Sequence, residues 1–275
     1  MVEAGLTGRQ RAVLDQVRVN APGVMLAQGL LDTFLARRIH PEVGLDFRVL
    51  TGMSEGEVAA MARRMEEAGL RPSAHGPFLD LSPGALDPDI LKTTRERYAR
   101  SLELAALFQP EHIVFHAFYE RRRHLTYREK WLEVSLETWR PLAVRARRLG
   151  IRLVLENVYE EGPEEIEPLL SALAPEGVGL CFDIGHAVSF GRSDPLKWLE
   201  ALWPCLAVLH LHDNNGEFDQ HLGLGRGTID FPAFFSWLAE HGVRPAAVTL
   251  EPHQEDQLWV SVAELADLWP WPLEE

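Results

Sequence analysis

Apolar residues along this chain fall in short runs, separated by longer stretches in which apolar and charged positions mix. The runs at 24–28 (VMLAQ), 43–47 (VGLDF), 71–75 (RPSAH) and 112–116 (HIVFH) are short enough to read as strands. So are those at 151–157 (IRLVLEN), 178–183 (VGLCFD), 206–213 (LAVLHLHD) and 246–252 (AAVTLEP). Between them the apolar positions recur at helical spacing. MSEGEVAAMARRMEEAGL opens with Ser54 and, three residues on, Glu57, a pattern that predicts a capping box. RERYARSLELAALF and WLEVSLETWRPLAVRARRLG each carry an apolar stripe opposite charges. TIDFPAFFSWLAEHG puts Pro232 near a helix start and Gly242 just past its end.

Eight strand-plus-helix units predict an α/β fold, a closed (β/α)₈ barrel in one domain. A doubly wound open sheet is the second choice, because the first run is weakly marked. GLGRG (223–227) follows a polar loop rather than a strand, so it is no nucleotide fingerprint. Residues 1–22 are expected to form a helical extension, and 23–275 the barrel, with LWPWPLEE as its closing tail.

The balance of 27 Lys+Arg against 41 Asp+Glu gives a net charge of −14, a poor footprint for duplex DNA. Cys181 and Cys205 both sit in apolar settings and read as small core residues rather than a disulfide or thiol ligands. The first residues lack an apolar run behind a basic head, and no apolar segment approaches 18 residues. No membrane association and a cytoplasmic location are therefore expected.

In a barrel of this kind the active site lies where the strands finish. The strand ends carry His75, His116, Glu156, Asp183, His210, His212 and Glu251. Alternation puts Glu156 on the face of Val154, Asp183 on that of Cys181, and Glu251 on that of Thr249. Three carboxylates converging from neighbouring strands cannot all stay ionised in a low-dielectric pocket without a cation. Each residue alone has a plainer reading: a cap for Asp183, a loop carboxylate for Glu156, a turn or core histidine for His75 and His116. Asp213 and Asn214 read as turn formers, and the RRRH tract (121–124) as a solvated loop. Recurrence at the same place in successive units is what favours a divalent-metal centre.

The series LENVYE, CFDIGHA, HLHDNNGEFDQHLGLGRGTIDF and LEPH, joined by AHGPFLDLSPG and IVFHAFYE, resembles the xylose-isomerase-like barrel superfamily. That group includes sugar isomerases and epimerases and apurinic-site endonucleases of the endonuclease IV type. The isomerase branch implies one ion held by Glu156, Asp183, His212 and Glu251, while the endonuclease pattern prefers His210 to His212. The endonuclease branch also implies further zinc ligands matching His75, His116, His186, Asp219 and His221, all present here. The chain departs from both branches. Phe218 stands about where the epimerases place a substrate arginine, and HAFYE replaces the His-Pro-Gly of the endonucleases.

The first expectation is a metal-dependent isomerase or epimerase acting on a small sugar, polyol or sugar phosphate. Glu156 and Glu251 would move the proton of an enediolate-type step, and His186 would bind substrate. Arg226, Arg192 or the 121–123 tract would contact a phosphate, and Phe118, Tyr119 and Phe78 would wall the pocket. The alternative is a multinuclear zinc phosphodiesterase. Either reading takes one to three Zn²⁺ or Mn²⁺ ions, and the charge argues against duplex DNA as a partner. Trp203, Trp269 and Trp271 are expected to offer a homo-oligomer interface.

Overall fold

The structure is a computed structural model that describes residues 5–273. Eight parallel strands close into a barrel in chain order. They are β1 (Arg18–Pro22), β2 (His40–Gly44), β3 (Ser73–His75), β4 (His112–His116), β5 (Arg152–Glu156), β6 (Gly179–Asp183), β7 (Leu206–Leu211) and β8 (Ala247–Leu250). The later strands lie where the apolar runs predict them. Helices pack around them, and their boundaries follow local signals. Ser54 Oγ accepts from Glu57 N while Ser54 N donates to the Glu57 carboxylate, so the predicted capping box forms. The helix Phe231–Glu240 starts with Pro232 in its first turn, and Gly242 follows its end with φ 63°.

The first two strands differ from expectation. Residues 24–28 are not a strand: the chain coils through helical turns at Gly23–Met25 and Leu26–Leu30, with Gly29 at φ 121°. The barrel's first strand lies ahead of them at Arg18–Pro22, so the expected boundary after residue 22 falls at the end of β1 rather than before the barrel. Polar residues hide this strand. Arg18 is buried and pairs with Glu111, and Asn20 donates its amide to Glu42 inside the barrel. The second strand begins at His40 rather than 43, because Asp46 caps a helix that starts at Phe47.

Inside the barrel Val114, Val154, Cys181, Ala207, Val208 and Ala247 form a small apolar layer. Cys181 is buried and Cys205 half-buried, and both thiols are free. Trp269 is buried, and the half-buried Trp271 donates its indole N–H to Val243 O. Trp203 is exposed. No described helix is long and apolar enough to cross a membrane.

Candidate metal centre

Strand alternation carries the chain's acidic and imidazole groups to one mouth of the barrel. Register places Glu156 beside His116 on one side and Cys181 on the other, and Asp183 beside His210. The ends of β5 and β6 are tied together by Asn157, whose amide donates to Asp183 O and accepts from Asp183 N. Beyond β7 the loop is closed by an antiparallel bridge between Asp213 and Leu222. The Asp213 carboxylate accepts from the backbone N–H groups of Asn214, Gly227 and Ile229. Asp213 and Asn214 thus act as turn formers, and the turn they build delivers Asp219 and His221 to the mouth.

Glu156 is the shared member of the cluster. Its Oε2 lies 3.1 Å from His75 Nε2 and 3.5 Å from His116 Nε2. Its Oε1 lies 3.1 Å from His186 Nδ1 and 3.5 Å from His210 Nδ1. His210 Nδ1 is also 3.0 Å from Glu251 Oε1. Asp183 Oδ1 lies 3.2 Å from His212 Nε2. The outer group gathers on Asp219, whose oxygens lie 3.5 Å from His186 Nε2, 3.5 Å from His212 Nε2 and 3.2 Å from His221 Nε2. His210 therefore joins Glu156 and Glu251, and His212 joins Asp183 and Asp219.

Much of this close approach is not hydrogen bonding. Both ring nitrogens of His210 and of His212, Asp183 Oδ2 and Asp219 Oδ1 are buried without a hydrogen-bond partner. Lone-pair atoms brought together, buried and left without donors are what a cation requires. Several overlapping subsets have ligand atoms within 4.8 Å of one another, among them His75 with His116 and Glu156; Glu156 with Asp183 and His186; Glu42 with His210 and Glu251; and His186 with His212, Asp219 and His221. The donor set is nitrogen and carboxylate oxygen, which suits zinc or manganese.

Protons distribute accordingly. Burial alone would raise the Glu156 carboxyl, but His210, His116 and His186 hold it well below the usual carboxylate range. Burial would lower His221, yet the hydrogen bond to Asp219 and the charge of Glu251 carry it up to about 9. Burial dominates at His116 and lowers it to about 3.

All ten expected ligands reach this mouth, and two substrate residues do not. Arg226 is exposed in the turn after Gly223, away from the cavity, because its loop is pinned by Asp213 rather than by the strands. Phe118, at φ 66°, packs against His116 at 5.4 Å without lining the cavity. Tyr119 is buried against Trp131, Arg192 stays outside the cavity, and Arg121 pairs with Glu165. Phe78 does line the cavity, stacked 4.6 Å from His116.

Two neighbours of the cluster lie outside the sequence expectation. His253 stacks on His221 at 3.8 Å, which itself stacks on His212 at 3.9 Å. Its position in LEPH, two residues past Glu251, is the signal that could have found it. Glu42 of β2 is fully buried beneath His210, with Oε1 3.2 Å from His210 Nε2.

The fold is an α/β barrel with candidate metal-ligand groups gathered at one mouth. The family model described as xylose isomerase-like TIM barrel matches residues 42–268, and the chain belongs to that family. Among solved structures it resembles TTHB071 protein from Thermus thermophilus, soaked with ZnCl2. The two are 32% identical with a TM-score of 0.76, over 92% of this chain and 98% of that one. A D-tagatose 3-epimerase-like protein shares the fold at 22% identity and a TM-score of 0.76, over 92% of this chain and 97% of that one. The uncharacterized protein MJ1311 of Methanocaldococcus jannaschii is 30% identical over 177 residues, 61% of this chain. The match spans 60% of MJ1311, less than two thirds of that protein.

Proposed function

We propose that the chain is a metal-dependent enzyme with a multinuclear centre, and that it hydrolyses a phosphodiester. The observation that carries this reading is the double use of Glu156: histidines approach both of its oxygens, His75 and His116 on one, His186 and His210 on the other. A carboxylate so engaged would serve as a ligand on both oxygens and is poorly suited to acting as a free base. His75 and His116 would hold one ion with Glu156. Asp183 and His210 would complete a second site, and His186, His212, Asp219 and His221 a third.

Divalent ions bound there supply Lewis acidity, lowering the pKa of water and stabilising charge on phosphoryl oxygens. The protein's own groups do the positioning. Glu251 lines the cavity and would take the proton of the attacking water as that oxygen forms its bond to phosphorus. The ester P–O bond breaks, and the leaving oxygen is protonated by water entering through the open mouth. His253, stacked on His221, restrains that ring from the solvent side.

The isomerase reading has its own support. Glu156 and Glu251 both approach His210 Nδ1, so two carboxylates flank one point of the mouth, as proton removal and return require. The epimerase-like neighbour adds to it. Elemental analysis of protein purified without chelator separates the two. Two or three ions per chain, reduced by His221→Ala, with turnover of bis(4-nitrophenyl) phosphate, support hydrolysis. One ion per chain, unaffected by His221→Ala, with turnover of a ketose and none of the phosphodiester, overturns it.

A further inference from the structure

The cavity at the barrel mouth measures about 670 Å³, and its walls are divided by strand. Over β3 to β8 it carries histidines and carboxylates of the cluster, with Phe78, Tyr159 and Phe190 beside them. Over β1 and β2 it is lined by Ala21, Met25, Leu30, Phe34, Ile39 and Leu45. This apolar wall is a product of the segment whose apolar run predicts a strand. Because 23–30 coil into helical turns at Gly29 instead of entering the sheet, Met25 and Leu30 face the cavity. Met25 remains 50% exposed, so its apolar surface is open to a ligand.

Among the polar groups that also line this side, Asn20, Arg37 and Arg48 are engaged with carboxylates. Asn20 donates to Glu42, Arg37 pairs with Glu255, and Arg48 pairs with Asp46. A bare sugar laid here would set hydroxyls against apolar side chains and forfeit their hydrogen bonds to water. The volume falls in the range, about 300–1,000 Å³, of sites that enclose a ligand of drug size.

We infer that the substrate is bipartite: an oxygen-rich head on the metal cluster and an apolar, ring-sized body on the wall built by β1, β2 and residues 23–39. The inference rests on the cluster being the seat of the chemistry, but not on which reaction occurs there.

The test uses zinc-loaded protein and two pairs of probes that differ only in the body. Benzylphosphonate and methylphosphonate carry a phosphoryl head. Benzohydroxamate and acetohydroxamate carry a head that chelates through two oxygens and mimics an enediolate. Calorimetric titration should show the ring-bearing member of a binding pair preferred by about 30-fold, the scale of burying one ring. Met25→Asp and Leu30→Asp, at positions that are not buried, should each cut that preference about tenfold. Binding of the methyl members should stay unchanged, which also reports an intact fold. A preference within about threefold of unity, or one that neither variant changes, overturns the inference while leaving the metal-site reading in place. Binding by the hydroxamates alone, with the ring preference intact, sinks the phosphodiester reading and keeps the bipartite substrate. Failure of all four probes to bind overturns both.

Discussion

Two carboxylates are sealed inside this barrel, and their surroundings differ. Glu42 accepts hydrogen bonds from Ser73 Oγ at 3.0 Å, Thr249 Oγ1 at 3.1 Å and Asn20 Nδ2 at 3.1 Å, contributed by β3, β8 and β1. Those donors come from fixed side chains on three strands, and His210 Nε2 approaches the same carboxylate at 3.2 Å. Glu156 is ringed by imidazoles, which can surrender a proton and offer a lone pair instead. Both carboxyls are held well below the usual range against the cost of burial, with His210 the foremost opposing charge in each case. The same direction of shift therefore arises from two constructions, one fixed and one exchangeable. The second has the more imidazole partners, four against the first's two.

The sharpest break in this contrast is Glu156→Gln. It should abolish metal retention and lower turnover by about 1,000-fold or more, equivalent to about 4 kcal/mol of transition-state stabilisation, read by elemental analysis and kinetics. His221→Ala should remove about one ion per chain while the ion at His75, His116 and Glu156 remains, because those three form a group apart from His221. Glu42→Gln should behave in the opposite way. Zinc should be retained, with affinity weakened about tenfold through His210, while denaturant unfolding loses about 2–3 kcal/mol. Equal metal loss in the Glu42 and Glu156 variants would erase the distinction.

A smaller effect is expected from pH. In metal-free protein His221 is raised from 6.5 to about 9, so its contribution to stability is complete below about 6.5 and is lost as pH rises through about 9. Asp219 is shifted the other way: burial opposes its charge but hydrogen bonds from His186 and His221 prevail, so its contribution fades only in strong acid. Melting temperatures of chelated protein should fall between pH 6.5 and 9. Zinc loading should flatten that fall, since a metal-bound imidazole has no such proton to lose.

The legibility of the chain follows the same division. At β5, β6, β7 and β8 an apolar run ends in a carboxylate or histidine, and local alternation suffices to aim Glu156, Asp183, His210 and Glu251 inward. Glu42 escapes such reading because the apolar run of its strand begins only at Val43, after His40, Pro41 and Glu42 itself. What makes it internal are Asn20, Ser73 and Thr249, partners distant in sequence. β1 escapes for a related reason: its inward position is Asn20, which is tolerable only because Glu42 stands opposite. The outer candidate ligands Asp219 and His221 are legible only through the family resemblance, and their delivery depends on the Asp213–Leu222 bridge, which is a tertiary event.

The bare backbone of Gly185 sets how far this centre can tolerate change from outside its ligands. A methyl group there would overlap Cε1 of the His212 ring, closer than atoms can approach. The imidazole lies flat on that backbone, and there is no slack between the two. Every side chain, even the smallest, would act on this position as a wedge, tipping His212 away from Asp183 and unstacking His221 behind it. A single added carbon at a residue with no ligand atom of its own would thereby derange the assembly as surely as deletion of an imidazole.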